Sequence, residues 1–156
     1  MRREGGIQVN KDNKGGNTAL LLAAWNGHFS VVELLLSRED TQVNQANHFG
    51  RTPLIIAAKH GHHKVVEILL QKEGIQINLT NRMGATPLLI ATESSHNKIV
   101  ELLLRQGAIL VNQANRNGVT PLRNEASRGY DNIVDLLLRK DEIQVNQPSK
   151  LGFTLL

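Results

Sequence analysis

Apolar residues recur along the chain with the spacing of one helix face. Positions 31–36 read Val-Val-Glu-Leu-Leu-Leu, and close copies stand at 65–70, 99–104 and 133–138. This spacing gives a helix a broad apolar stripe and leaves the acidic residue of each copy on the solvent side. The sequence therefore predicts four similar amphipathic helices.

A shorter helix is predicted before each of these four. It begins after a threonine, a residue that caps helix starts, and proline usually follows at the first helical position. The capping threonines are Thr18, Thr52, Thr86 and Thr120. The inward side of the shorter helix carries small residues, which let two helices approach closely: Ala23, Ala24, Ala57, Ala58 and Ala91. Glycines are expected to break the chain between the two helices: Gly27, Gly61 and Gly129.

Corresponding positions lie 34 residues apart, as the threonines show. An asparagine column and a glycine column keep the same period: Asn10, Asn44, Asn78, Asn112 and Asn146; Gly16, Gly50, Gly84, Gly118 and Gly152. Helices of about 8 to 12 residues do not persist alone in water, so each pair must bury its stripe against the next pair. The predicted fold is all-α, a solenoid of stacked helical hairpins joined by extended turns.

The motifs of the second unit resemble those of the ankyrin repeat. They are Gly-Arg-Thr-Pro-Leu at 50–54, Ala-Ala-Lys-His-Gly-His at 57–62, Val-Val-Glu-Ile-Leu-Leu at 65–70 and Ile-Asn at 77–78. The resemblance covers nearly the whole chain and implies an ankyrin-repeat solenoid. Each unit is one residue longer than the common length of about 33. The histidine that commonly follows Thr-Pro-Leu in the family is replaced by Leu21, Ile55, Leu89 and Arg123.

The repeat pattern divides the chain into four full helix-turn-helix repeats with a partial unit at each end. We assign 1–8 to the tail of a preceding repeat, 9–42, 43–76, 77–110 and 111–144 to the full repeats, and 145–156 to the start of a further one. Neither end replaces its apolar stripe with polar residues, as a terminal repeat does. We therefore expect a segment of a longer array, open to end-to-end self-association.

Composition removes several classes of protein. The 156 residues suit one domain, and the absence of cysteine excludes disulfide frameworks, zinc–cysteine sites and thiol catalysis. No run approaches the roughly 18 apolar residues of a membrane-spanning helix, and the first residues lack the apolar run of a secretory signal. We expect a cytoplasmic protein without a membrane span.

The resemblance to ankyrin repeats implies a partner site on the concave surface, where the turn tips and the first helices meet. The matching positions are Lys14, Asn17, Trp25, Asn26, His48, Phe49, Arg51, Lys59, His60, Arg82, Met83, Glu93, Arg116, Asn117 and Arg128. Lys150, Leu151 and Phe153 continue the line.

The charge along this line is mostly positive, because seven of its positions carry a lysine or an arginine and only one, Glu93, carries an acid. Most other acidic residues lie on or near the second helices. A groove of one sign attracts a partner of the opposite sign. Trp25, Phe49 and Met83 are large apolar groups of the kind that anchor interfaces. We therefore expect a non-catalytic scaffold whose groove binds a protein or an acidic peptide with apolar anchors.

Two other functions stay open. Binding of a polyanion, either nucleic acid or an acidic membrane, fits the basic groove, although the cations are spread singly and few aromatic residues could stack on bases. A structural spacer within a larger protein fits a groove that is merely solvated.

No catalytic, cofactor or metal site is expected. The phosphate-loop ending and the nucleophile-elbow motif are missing. The run His60-Gly61-His62-His63 suggests a metal site, but His62 belongs to a repeated column with His28 and His96, which favours a structural role.

Glu125 departs from the pattern, since it occupies the column of Ala23, Ala57 and Ala91. A buried carboxylate must find a donor, take up a proton or move its helix toward solvent. Sequence drift near the end of an array explains it most simply; a polar notch that recognises a donor on the partner is the alternative. We expect the fourth repeat to be the least stable.

Overall fold

A computed structural model describes residues 7–129 and 131–146, and this part of the chain contains eight α-helices and no strand. The first helices of the pairs are α1 (Ala19–Trp25), α3 (Pro53–His60), α5 (Pro87–Glu93) and α7 (Pro121–Arg128). The second helices are α2 (Phe29–Leu36), α4 (His63–Leu70), α6 (Asn97–Leu104) and α8 (Asp131–Leu138). Lys150, Leu151, Phe153 and most of both partial end units lie outside the described residues.

The helices form two parallel rows. Each first helix contacts the first helix of the next pair, each second helix contacts the next second helix, and each pair is in contact internally. The core lies between the rows and runs the length of the stack, with Ala57 and Ala58 of α3, Leu88 of α5 and Leu103 of α6 all buried. The all-α solenoid predicted from the sequence is confirmed.

The predicted caps open the first helices. The Oγ1 atom of Thr52 accepts a hydrogen bond from the backbone N–H of Ile55 at 3.2 Å, and Pro53 takes the first helical position. Thr18, Thr86 and Thr120 cap their helices in the same way. A capping side chain satisfies an amide that the helix leaves without a partner, which fixes where each first helix begins.

The apolar stripe of the second helices is buried only where a neighbour covers it. Val65 of α4 is 1% exposed, whereas Val31, its counterpart in α2, is 45% exposed. The helix α2 stands at one end of its row, and no described helix covers the side on which Val31 lies. Full burial of this position therefore depends on a neighbouring pair.

The asparagine column joins consecutive loops. The Nδ2 atom of Asn44 donates to the carbonyl oxygen of Gly74 at 2.7 Å, and its Oδ1 accepts from the N–H of Gln76 at 3.0 Å. Asn10, Asn78 and Asn112 form the same two hydrogen bonds with their own following loops. Asparagine supplies a donor and an acceptor together, which explains its recurrence at this position.

The break between the helices of a pair needs a left-handed residue. Gly27, Gly61 and Gly129 have φ values of 70°, 77° and 74°, as the sequence predicted. In the third repeat the position is occupied by Ser95, the one non-glycine residue with positive φ in the described part of the chain, at φ 57°. A side chain in this region is strained.

We therefore expect Ser95→Gly to raise the free energy of unfolding by about 0.5 to 1 kcal/mol, because relief of the strain exceeds the added freedom of glycine in the unfolded chain. Denaturant unfolding measures the change. Ser94→Gly is the matched control: Ser94 has an ordinary φ of −96°, so glycine there should destabilise. Equal effects of the two substitutions would contradict the strain.

Candidate partner-binding groove

The turn tips that precede the first helices are tied into a continuous row. Within a tip, the Oδ1 atom of Asn47 accepts from the N–H groups of Phe49 and Arg51, at 3.0 and 3.1 Å. Between tips, the N–H of Arg82 donates to the carbonyl oxygen of Phe49 at 3.1 Å, and the N–H of Arg116 donates to that of Met83 at 2.8 Å. Side chains on neighbouring tips are therefore held in a fixed register.

A cavity of about 320 Å³ lies between the tips of the second, third and fourth repeats and the first helices of the second and third repeats. Its helix wall is formed by Ile55 and Lys59 of α3, Ile90 and Glu93 of α5, and Ser94, which caps the C-terminus of α5. Its tip wall is formed by Arg51, Asn81, Met83, Ala85, Asn115 and Asn117. We use the name groove for this cavity together with the exposed C-terminal ends of α1, α3, α5 and α7.

The cavity combines apolar and uncharged polar side chains with charges of both signs. Met83 is 55% exposed, and Ile90 is half-buried in the same lining. Arg51 and Lys59 bring positive charge from the second repeat, and Glu93 brings negative charge from the third. Ligand sites commonly join an apolar surface to a few convergent polar groups in this way.

Glu93 is half-buried at the last turn of α5. Burial raises the pKa of its carboxyl above the ordinary value, and the charge of Arg128 opposes that effect. A ligand that brings a hydrogen-bond donor or a positive charge to Glu93 stabilises the ionised form of its carboxylate.

Aromatic and imidazole rings form the end of the groove nearest α1. The ring centroids of Trp25 and His60 are 5.1 Å apart, and the guanidinium carbon of Arg51 lies 5.4 Å from the centroid of the Phe49 ring. Burial, and then the charge of Lys59, lower the pKa of His60. The lowered pKa favours the uncharged imidazole of His60, so it is lysine and arginine that give the groove most of its positive charge.

Most of the residues assigned to the groove from the sequence are exposed. They are Lys14, Trp25, Asn26, His48, Phe49, Lys59, His60, Arg82, Met83, Arg116, Asn117 and Arg128. Asn17, Arg51 and Glu93 are half-buried. The cavity brings together five of the assigned residues: Arg51, Lys59, Met83, Glu93 and Asn117. The other assigned residues lie outside its lining.

Two of the assigned residues hold the repeats together. The guanidinium of Arg128 donates from its Nη1 atom to the carbonyl oxygen of Glu93 at 2.6 Å. The Oδ1 atom of Asn17 accepts from the Nδ2 of Asn47 in the next tip at 2.9 Å. Both side chains contribute to the contact between neighbouring repeats.

The contact of Arg128 replaces one that histidine makes elsewhere in the stack. The Nε2 atom of His62 lies 2.9 Å from the carbonyl oxygen of Trp25, and that of His96 lies 3.1 Å from that of Lys59. The structural role expected for this column is confirmed for these two residues.

The lining also contains six residues outside the assigned set: Ile55, Asn81, Ala85, Ile90, Ser94 and Asn115. The two isoleucines belong to columns that read as core. Asn81 and Asn115 continue the column of Asn13 and Asn47, which also lies at a spacing of 34. That asparagine period was a usable signal, because its side chain organises each tip.

A second cavity of about 430 Å³ lies away from the groove, lined by residues 107–113 and Glu142. Its wall is almost entirely one loop, and Glu142 is its one charged side chain. It lacks the convergence of groups from several elements that marks a binding site, so the groove is the stronger candidate.

Among the described residues, no three histidine or acidic side chains come together as metal ligands. None of the eight described helices has the length and apolar character needed to cross a bilayer.

Comparison with known families agrees with this architecture. The ankyrin-repeat family model matches the chain in three overlapping copies, over residues 3–81, 38–114 and 75–149. No curated protein matches the chain. Ankyrin repeats generally act as non-enzymatic modules for protein–protein interaction. With matches spanning nearly the whole sequence and four stacked helical pairs in the structure, the chain belongs to the ankyrin-repeat family.

Proposed function

We propose that the chain is a non-catalytic scaffold that binds an acidic segment of a partner protein, with apolar anchors, in the groove. The observation that carries the proposal is the cavity between the second and third repeats, where Arg51 and Lys59 flank the apolar surface of Met83 and Ile90. A partner carboxylate gains from these cations, and an apolar partner side chain gains by displacing water from the lining.

The exposed aromatic side chains support the same function. Trp25 is 38% exposed and Phe49 is 60% exposed, although either would contribute more to stability if it were buried in the core. Residues of this kind commonly carry much of the energy of an interface. Their position beside Arg51 and His60 puts apolar and charged contacts within reach of one bound segment.

The test is a selection of 12-residue peptides from a random display library on the whole chain, followed by affinity measurements on the enriched peptides. We expect enrichment of peptides with acidic and apolar residues. Arg51→Ala with Lys59→Ala should weaken their binding by about tenfold, which corresponds to about 1.4 kcal/mol. Trp25→Ala with Phe49→Ala should weaken binding even at high salt, because apolar contacts are not screened.

The matched control replaces two exposed cations outside the groove, Lys64 and Arg105, with alanine. It should leave peptide affinity unchanged. Failure to enrich any peptide, or equal losses in the control and in the groove variants, would contradict the proposal. Tight binding of a thymidine oligonucleotide that falls steeply with salt, in place of peptide binding, would favour the polyanion alternative.

A further inference from the structure

The sign of charge changes within the cavity. Equivalent positions near the C-terminal ends of the four first helices carry Trp25, Lys59, Glu93 and Ser127. Lys59 and Glu93 both line the cavity, from the neighbouring helices α3 and α5, and Arg51 joins Lys59 on the side of the second repeat. A groove that is otherwise basic thus has an acidic group at a defined place.

The two signs are separated by about one helix spacing. The helices α3 and α5 are in direct contact, and the axes of packed helices lie about 8 to 10 Å apart. Because Lys59 and Glu93 occupy equivalent positions, their separation along the groove is close to this distance. In a polyproline II segment, which has three residues per turn and rises about 3.1 Å per residue, side chains three positions apart lie on the same side about 9 Å apart. Such a pair of side chains spans the two groups.

Apolar and uncharged polar side chains share the rest of the lining, and the polar ones are Asn81, Ser94, Asn115 and Asn117. Of the apolar side chains, Met83 is exposed on the tip wall and Ile90 is half-buried on the helix wall, whereas Ile55 is fully buried. A side chain that enters here from a bound segment leaves water for an apolar surface. The cavity therefore offers a positive group, an exposed apolar surface and a negative group to one bound segment.

We infer that the bound segment carries an acidic residue and a basic residue three positions apart, with an apolar side chain between them, and that Glu93 selects the basic residue. This inference rests on the proposed function of the groove. The acidic residue faces Arg51 and Lys59, the apolar side chain faces Met83 and Ile90, and the basic residue faces Glu93. Because one end of the cavity is positive and the other is negative, a segment bound one repeat out of register would place its charges against unsuitable groups.

Arg128 is the competing neighbour of Glu93 within the chain. It lies close enough to oppose the effect of burial on the Glu93 carboxyl, and its guanidinium is engaged with the backbone carbonyl of the same residue. If the charge of Arg128 already stabilises the Glu93 carboxylate sufficiently, the bound segment needs no basic residue at this place. Peptide selection distinguishes these two cases.

The experiment repeats the display selection in parallel on three chains: the wild type, Glu93→Gln and, as a control, Glu67→Gln, which changes an exposed acid on α4. The wild-type and control pools should share the acid–apolar–base pattern. The Glu93→Gln pool should keep the acidic and apolar residues and lose the basic one, because glutamine preserves the shape of the side chain and removes its charge.

A double-mutant cycle on one enriched peptide gives the second readout. Glu93→Gln should weaken binding of that peptide by about tenfold and should leave unchanged the affinity of a version whose basic residue is glutamine, since the interaction is then already lost. A wild-type pool with acidic and apolar but no basic preference, or a basic preference that survives Glu93→Gln, overturns the inference and leaves the proposed function standing. Enrichment of no peptide overturns both.

Discussion

Replacing Gly50 with alanine is expected to lower the free energy of unfolding by about 3 kcal/mol, in two parts. Gly50 has a φ of 71°, and a side chain in that region costs about 1 kcal/mol or more. A Cβ atom would also stand 2.9 Å from the backbone nitrogen of Arg82 in the next tip. The two tips must then separate, and overpacking of this kind costs about 1 to 3 kcal/mol.

Gly74 provides the matched control for this substitution. Its φ is 78°, but a Cβ atom added there meets nothing within 4 Å. Gly74→Ala should therefore show the conformational part alone, about 1 kcal/mol. Denaturant unfolding of both variants isolates the contact between the tips as the difference. Equal losses would show that the close approach of the tips contributes nothing to stability.

The same substitution should weaken binding of peptides to the groove. The hydrogen bond from Arg82 to the carbonyl oxygen of Phe49 sets the spacing between the second and third tips, and the cavity takes Arg51 from one of these tips and Met83 from the other. Peptide affinity should fall for Gly50→Ala and stay unchanged for Gly74→Ala, measured where both variants are fully folded.

The local features of the fold could be predicted from the sequence because each is encoded within a few residues and repeated. The cap of Thr52 needs only the amide three residues later, and the apolar stripe of α4 follows from helical periodicity. The repeat period then fixed the order of stacking, since each pair can bury its stripe only against its neighbours.

The contents of the cavity could not be predicted in the same way, because they depend on how one repeat is placed over the next. Ile90 occupies a column that reads as core, yet it is only half-buried and contributes to the lining. Arg128 occupies a column that reads as surface, yet its guanidinium reaches carbonyl groups of the preceding repeat. A position relative to a neighbouring repeat is not encoded in any short motif.

Positions that break a repeated column also carry structural information. Ser95 interrupts the glycine column, and the structure gives it the positive φ that glycine has elsewhere. The histidine column ends at His96, since position 130 carries tyrosine, and Arg128 makes the corresponding contact. Where a residue departs from its column, either another residue makes the missing contact, as Arg128 does, or the new residue adopts a strained backbone conformation, as Ser95 does.

Glu125 is the departure with the largest energetic consequence. Its side chain is fully buried in α7, at the position of the alanines of the other first helices. The Oε1 atom accepts one hydrogen bond, from Nδ2 of Asn124 at 3.1 Å, and Oε2 has no hydrogen-bond partner among the described residues. A buried carboxylate oxygen left in this state opposes folding.

Glu125→Ala is therefore expected to raise the free energy of unfolding at neutral pH by about 2 kcal/mol, because it removes an unsatisfied buried group. Ala23, Ala57 and Ala91 show that alanine packs in this column without exposure. Denaturant unfolding measures the gain, and hydrogen exchange should show slower opening of α7 and α8. Glu67→Ala, at an exposed site on α4, should change stability by less than about 0.5 kcal/mol.

The gain from Glu125→Ala should depend on pH in a defined direction. Burial raises the pKa of the Glu125 carboxyl, against a hydrogen bond from Asn124 and the charge of Arg128. The folded state then binds a proton more tightly than the unfolded state, so this group destabilises the fold increasingly as the pH rises above the unfolded pKa of about 4.3. The difference between variant and wild type should be small near that pH and should reach its full size above the raised folded pKa. A gain of equal size at both ends would assign the effect to packing rather than charge, and a loss of stability would show that the carboxylate supports the fourth repeat.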